Sequence, residues 1–310
     1  MTRVLLFGRN GQVGGEIMRQ FGQRTGANAV SRAGVPPLPQ PAYELTALDR
    51  AGCDLSDPDA VHAAIVRAKP QVIVNAAAWT AVDRAEAEPD ACHRINAGAP
   101  AAMAAAARDR GALLVHYSTD YVFDGSARRP YREDDPVAPL GAYGRSKLEG
   151  EQAITATGCA AVILRTSWIY GLSGHNFLRT MLRLAEEREE IGVVDDQWGS
   201  PTWSRSLAEA TLQVLDHHAH DPSTWPQVAG LYHATAAGST SWLGFASAIF
   251  RHAAVRAPRL RAIGTADYPL PAPRPAWSVL DCTRIESRLG IVLQRWDDAL
   301  ARCLAKAPAC

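Results

Sequence analysis

The sequence predicts an α/β protein, a doubly wound parallel sheet carrying a smaller α/β substrate-binding lobe. Three observations predict it. Short apolar runs alternate with helix-patterned stretches from the N-terminus to about Thr166, the rhythm of a parallel sheet covered by helices on both faces. The first apolar run ends directly in a glycine-rich turn, Gly8-Arg9-Asn10-Gly11-Gln12-Val13-Gly14. After Trp168 the rhythm changes to helices separated by loops rich in Pro, Gly and Trp. That part reads as a lobe laid over the carboxyl edge of the sheet, where such folds bind ligands.

The elements follow in order. Residues 4–7 are a short apolar run and read as a buried parallel strand. Residues 16–23 read as a helix, the Pro-rich stretch 34–41 as a surface loop, and 45–48 as a second strand. Residues 56–69 have helical apolar spacing behind a Ser cap. Residues 72–74 are the third strand, the Ala-rich stretch 89–110 a long helix, and 113–115 the fourth strand. A helix over 143–155 leads to a fifth strand at 161–164. Further helices fall near 176–187, 204–215, 241–254 and 296–305. Residues 269–275 hold four prolines and cannot be helical. The expected division is residues 1–166 for a cofactor domain and mainly 167–310 for the second lobe, with room for the chain to cross back.

Composition removes several function classes. Lys+Arg 32 balances Asp+Glu 32, so there is no general phosphate-binding field and no nucleic-acid partner is expected. No apolar run reaches membrane-spanning length, and the N-terminal run is too short for a signal segment. Cys53, Cys92, Cys159, Cys282, Cys303 and Cys310 lie far apart without a C-x-x-C pair, which reads as free thiols in a reducing compartment. The expectation is a cytoplasmic protein, monomer or homodimer.

The glycine turn carries the first chemistry. Gly8, Gly11 and Gly14 are spaced G-x-x-G-x-x-G. One glycine allows the tight bend, one lets backbone approach a pyrophosphate, and one lets helix and strand pack closely. The N–H groups that open the following helix then face the anion. The turn therefore reads as a dinucleotide cradle, with a glycine-rich strand–helix turn that holds no ligand as the alternative. Asp49 ends the second strand, where an acid accepts from the adenosine ribose hydroxyls. Arg50 covers adenine, meets a 2′-phosphate, or forms a solvated ion pair; Arg9 is a second phosphate partner. Acid and bases pull in opposite directions, and the two arginines tilt the expectation to NADPH with NADH as the alternative. Asp54, placed for the adenine amine, Leu55, and the run from Asn75 through Ala78, Trp79 and Thr80 form the rest of the rim.

Tyr143 and Lys147 stand four residues apart, on one face of a helix. The chain has eight Tyr and only three Lys (Lys69, Lys147, Lys306), so the pair is not a chance expectation. Beside a nicotinamide the pair has a specific task. Hydride reaches a carbonyl carbon, and the growing alkoxide needs a proton. A phenol supplies it if an adjacent ammonium draws its pKa toward neutrality. The same Lys holds the nicotinamide ribose. The fourth strand runs into Tyr117-Ser118-Thr119-Asp120 at the sheet's carboxyl edge. There Thr119 is placed to hydrogen-bond a substrate carbonyl; turn formation by Ser118 and Thr119 is the alternative.

These residues resemble the extended short-chain dehydrogenase/reductases. More narrowly, the chain is similar to the dTDP-4-dehydrorhamnose reductases. Stretches 5–8, 11–14 and 74–86 carry that likeness, with Ser118-Thr119-Asp120-Tyr121-Val122-Phe123-Asp124-Gly125 and 165–171. Asn176-Phe177, residues 196–202, Arg274-Pro275 and Ser278-Val279-Leu280-Asp281 complete it. The glycine turn and the Tyr/Lys pair are shared across the superfamily; the longer stretches are specific to the narrower family.

The resemblance implies a Rossmann-like cofactor domain with a smaller sugar-nucleotide lobe, a dTDP-sugar substrate, and reduction of the 4-keto group of dTDP-4-dehydro-6-deoxy-L-mannose to dTDP-L-rhamnose. Other dTDP-4-keto-6-deoxyhexoses are the nearest rivals, and a non-catalytic NADP-binding regulatory subunit is opposed by the retained Tyr/Lys pair. It implies that Tyr143 is the proton donor, Lys147 its partner and Thr119 the carbonyl-binding hydroxyl. Gly8, Gly11, Gln12, Val13 and Gly14 would hold the pyrophosphate. Asp49, Arg50, Asp54, Leu55, Ala78, Trp79, Thr80 and Tyr117 would line the cofactor. Asp120, Trp168 and Asn176 would face the sugar. Arg274 is the expected diphosphate partner, with a surface arginine as the alternative. Some members of the family are Mg²⁺-linked dimers. Glu16 matches one acid of that pattern, but Arg205 stands where another acid belongs, and no metal is expected. Trp198, Trp203 and Trp242 read as packing rather than sugar-stacking residues.

Overall fold

The computed structural model describes residues 1–25, 43–253 and 255–306; the expected loop at 34–41 and Cys310 lie outside them. Five strands come in sequence: β1 (Thr2–Phe7), β2 (Tyr43–Leu48), β3 (Val72–Asn75), β4 (Leu113–Thr119) and β5 (Ala161–Thr166). A sixth, Gly230–His233, joins them beside β5. The six form one all-parallel sheet, in the order Gly230–His233, β5, β4, β3, β1, β2.

The apolar run of β1 is continuous because both sheet faces are covered. Val4 and Leu6 enter one core with Val13, Ile17, Leu207 and Val214. Leu5 and Phe7 enter the opposite core with Val61, Ile65, Ala99 and Met103. The helices responsible are α1 (Gln12–Thr25) and α8 (Ser204–His218) on the first face. On the second are α2 (Pro58–Ala68) and α5 (Ala99–Arg110).

Several boundaries differ from the sequence pattern for local reasons. Helix α1 begins at Gln12, not 16, because the glycine turn feeds straight into it, with Gly15 N donating to Gly11 O at 2.8 Å. Asp57 rather than Ser56 caps α2; its side chain accepts from Asp59 N and Ala60 N, and Pro58 opens the helix. The stretch 89–110 is not one helix. A short helix (Pro89–His93) passes through a π turn (Arg94–Gly98) before α5 begins. A further short helix, α3 (Val82–Ala87), follows β3.

The second lobe has its own core of Tyr170, Leu178, Met181, Ile191, Phe245, Ile249 and Leu300. Helices α7 (Phe177–Glu187), Trp242–His252 and Trp296–Leu304 supply it, with the parallel strands Glu190–Val194 and Arg259–Ile263. Between these elements the chain returns to the sheet. Helix α8 packs on α1, and Gly230–His233 pairs with β5. The two lobes are thus not contiguous in sequence. Among the described residues no helix is long and apolar enough to cross a membrane.

Candidate active site

The groove begins at the carboxyl ends of β1 and β3. Gly8 has φ +90°, and a Cβ there would lie 2.7 Å from Ala77 N. A Cβ on Gly14 would lie 2.1 Å from Gly8 O. Both positions admit only glycine. The first turn of α1 carries no acidic residue, so the N–H groups near Gln12 and Val13 are available to an anion. A cavity of about 300 Å³ adjoins the turn. Leu48, Asp49, Arg50, Asp54 and Leu55 bound it on one side, and Ala77, Ala78, Trp79 and Thr80 on the other. Of the sequence-predicted cofactor residues, Gly8, Asp49, Arg50, Asp54, Leu55, Ala78, Trp79 and Thr80 line this one cavity, and the cradle fits the adenosine end of a dinucleotide.

Asp49 accepts from Gly52 N at 3.0 Å and Asn10 Nδ2 at 3.1 Å. The Gly52 bond, then Asn10, hold its carboxyl below the usual carboxylate range. Asp54 is lowered by the backbone and hydroxyl of Ser56. Both stay anionic at neutral pH. Arg50 and Arg9 are exposed at the same rim.

Asn96, which sequence reading passed over, fixes the far wall. Its Oδ1 accepts Trp79 N at 2.8 Å, and its Nδ2 donates to Trp79 O at 3.0 Å and Ser146 Oγ at 3.1 Å. It sits in the π turn, which rotates it toward that wall. A lone amide inside an alanine-rich helix was the available signal.

Helix α6 (Ala142–Thr157) carries the Tyr/Lys pair. Glu86 caps it from outside, its Oε1 accepting Ala142 N at 2.7 Å. Tyr143 is half-buried and touches Tyr121 edge-on, with centroids 5.9 Å apart. Thr119, at the end of β4, stands beside the Tyr143 phenol; its hydroxyl donates to Asp120 Oδ1 at 3.1 Å and accepts from Tyr121 N at 3.2 Å. Lys147, on the same face, is buried; its Nζ donates to Tyr117 O at 2.5 Å and lies 3.3 Å from His116 Nε2. Below it Glu151 forms a buried bidentate pair with Arg165, at 2.9 and 2.7 Å, and accepts from Ser118.

The electrostatics correct one expectation. The ammonium does not draw the phenol down. Burial pushes Tyr143 above its ordinary value, only partly opposed by Thr119. Tyr143 is therefore protonated at neutral pH, the state a proton donor requires. It is Lys147 that moves: burial draws it down to about 8, against the pull of Glu151. Asp120, beside Thr119, is pushed up to about 7 by burial, against a hydrogen bond from Thr119 Oγ1 at 3.1 Å.

The remaining expected residues divide. Trp168 has φ +46° and lies flat on Trp242; Gly199 abuts its indole so closely that a Cβ would come within 2.5 Å. Trp242 and buried Trp203 do pack, whereas Trp198 is 41% exposed beside Trp277. Tyr117 turns its hydroxyl to Thr211 on α8, so its carbonyl and not its ring meets Lys147.

Asn176, expected to face the sugar, is the N-cap of α7. Its Oδ1 accepts Arg179 N, and its amide donates to Gln12 Oε1, Gly171 O and Ser173 O. Arg274, expected at a diphosphate, is held by Asp83 of α3 at 2.6 and 2.8 Å. A divalent metal does not fit at Glu16, whose carboxylate is paired with Arg19 and with Arg205 at 3.3 Å.

Comparison with known proteins adds the following. The family model described as the RmlD substrate binding domain matches residues 1–308. The dTDP-4-dehydrorhamnose reductase of Burkholderia thailandensis is 44% identical over 97% of this chain and 98% of its own. That of Escherichia coli strain K12 is 40% identical over 97% and 96%. The crystal structure of dTDP-4-dehydrorhamnose reductase from Bacillus anthracis strain Ames in complex with NADP superposes with a TM-score of 0.85. It is 33% identical and covers 99% of this chain and 100% of that one.

Proposed function

The chain belongs to the RmlD substrate binding domain family, and from that premise we propose that it reduces the 4-keto group of dTDP-4-dehydro-6-deoxy-L-mannose to give dTDP-L-rhamnose. The observation that carries the proposal is one juxtaposition. Thr119 and Tyr143 meet at the carboxyl edge of the sheet, with buried Lys147 on the same helix face. The glycine turn and its cavity open on that edge.

A reduced nicotinamide bound along this groove would supply the hydride to the keto carbon. Gly8, Gly11, Gln12, Val13 and Gly14 would hold the pyrophosphate, with Asp49, Arg50, Asp54 and Leu55 around the adenosine. Ala78, Trp79 and Thr80 form the opposite wall. Thr119 hydrogen-bonds the keto oxygen and orients it toward Tyr143. As negative charge grows on that oxygen, the Tyr143 phenol transfers its proton to it. Lys147 faces the resulting phenolate and carries a hydrogen-bond donor to the ribose. Asp120 and Trp168 border the sugar. NADPH is the expected form because exposed Arg9 and Arg50 stand near Asp49 at the end of β2, where a 2′-phosphate would lie, with the Asp49 carboxylate opposing it.

The test is a coupled assay. The upstream epimerase supplies the 4-keto-L-sugar nucleotide, and oxidation of NADPH and NADH is followed separately. Turnover with both sugar and NADPH is expected. Absence of turnover on this sugar, with turnover on another dTDP-4-keto-6-deoxyhexose, would reassign the substrate.

A further inference from the structure

Behind Lys147 lies a buried chain of polar groups that the reaction above leaves without a role. Asn75 ends β3 and His116 stands opposite it on β4. Asn75 is 1% exposed, His116 0% and Lys147 2%. Asn75 Nδ2 lies 3.0 Å from His116 Nδ1, and His116 Nε2 lies 3.3 Å from Lys147 Nζ.

The proton positions follow from donor counting. The Ala77 N–H, 3.2 Å from Asn75 Oδ1, is a donor and demands an acceptor. That fixes the amide with its oxygen toward Ala77 and its N–H toward His116. Nδ1 of His116 must then accept. Burial holds the imidazole neutral, well below its ordinary pKa, so its one proton sits on Nε2, facing Lys147. An ammonium there meets an N–H; a free amine offers its lone pair.

We infer that Asn75 and His116 are positioning residues that fix one imidazole tautomer and thereby bias Lys147 toward the amine. The inference rests on the reductase reading only for its consequence: Lys147 becomes able to exchange a proton behind Tyr143 near neutral pH. The other groups facing Lys147 are Cys92 from the helix Pro89–His93 and, one turn along α6, Glu151 with its partner Arg165 on β5. Glu151 favours the ammonium, and its charge is shared with Arg165.

Asn75→Asp inverts the arrangement at nearly constant shape. A carboxylate still accepts from Ala77 N–H, but it also demands a proton on Nδ1. Nε2 then becomes an acceptor for the Lys147 ammonium. The experiment uses the full chain without substrate, so it reads the relay whether or not the assigned sugar is turned over. Histidine tautomers are read by long-range ¹H–¹⁵N correlation, with His116 assigned by its contacts to the Lys147 side chain. Lysine titration is read by ¹³C at Cε, where only three residues contribute.

The wild type is expected to show Nε2–H, with Lys147 titrating below the ordinary lysine range. Asn75→Asp is expected to show Nδ1–H, with Lys147 titrating higher by about one pH unit or more. A wild-type Nδ1–H tautomer overturns the inference even if the variant fails to fold. A rise of the Lys147 titration with the tautomer unchanged also overturns it, because added charge alone would then explain the rise.

Discussion

Trp168 and Trp242 lie face to face, with ring centroids 3.5 Å apart and planes within 3°. Trp168 holds this position with a left-handed backbone, φ +46°, a conformation costly for a bulky residue. The stack, closed on the Trp168 ring by Gly199, offsets that cost. Trp242→Ala is expected to release Trp168 and raise the sugar's KM about tenfold, a loss comparable to one aromatic pair. Fluorescence titration should show unchanged NADPH affinity; an equal loss of both would place the stack outside the sugar side of the site.

Tyr143 and Lys147 should fail differently. Tyr143→Phe keeps the ring against Tyr121 but removes the proton. Turnover is expected to fall about 10²–10⁴-fold with cofactor affinity retained. Lys147→Ala is expected to weaken NADPH binding and slow turnover together. Steady-state kinetics with a cofactor titration separates the two patterns.

Glu151 and Arg165 are 6% and 3% exposed at their side chains. Glu151→Ala leaves a buried guanidinium without its counter-charge, and the expected cost is about 3–5 kcal/mol. Urea unfolding measures it. Substitution of both residues by apolar side chains of similar volume is expected to recover most of the loss, which separates the orphaned charge from simple loss of packing.

Asp120 gives a dependence on pH. Its folded-state pKa, raised by burial to about 7, exceeds the value near 3.9 of an unfolded aspartate. The unfolded chain therefore loses this proton first as pH rises. The neutral form's contribution is complete at low pH and declines between about 4 and 7. Asp120→Asn removes the decline. Thermal melts should show the variant gaining on wild type from pH 5 to pH 8; parallel curves would mean that Asp120 ionises without cost.

The sheet was legible because β1, β3 and β4 are buried on both faces and the glycine turn follows β1 at once. What escaped depended on partners distant in sequence. The strands Glu190–Val194 and Arg259–Ile263 are five residues each and, among the described residues, pair only with one another. Alanine spacing across 89–110 does not separate an α-turn from the π turn that places Asn96. Tyr143 and Lys147 were found because both lie on one helix. His116 was not, because its meaning comes from Asn75 and Lys147 on two other elements. The local partners of Arg274 and Asn176 escaped for a related reason. An arginine in a proline-rich segment suggests a phosphate until Asp83 is seen beside it. An asparagine before an apolar helix is first of all a cap.

The last strand to enter the sheet, Gly230–His233, comes from beyond the first elements of the second lobe. The halves of this molecule therefore cannot be exchanged like cassettes at a single splice. A fragment ending at Thr166 leaves the outer flank of β5 bare, a row of unsatisfied amides that invites self-association. New specificity in such an architecture has to arise by altering surface loops and pocket walls, because a recombination that swaps the sugar-side half wholesale removes a piece of the nucleotide-side half with it.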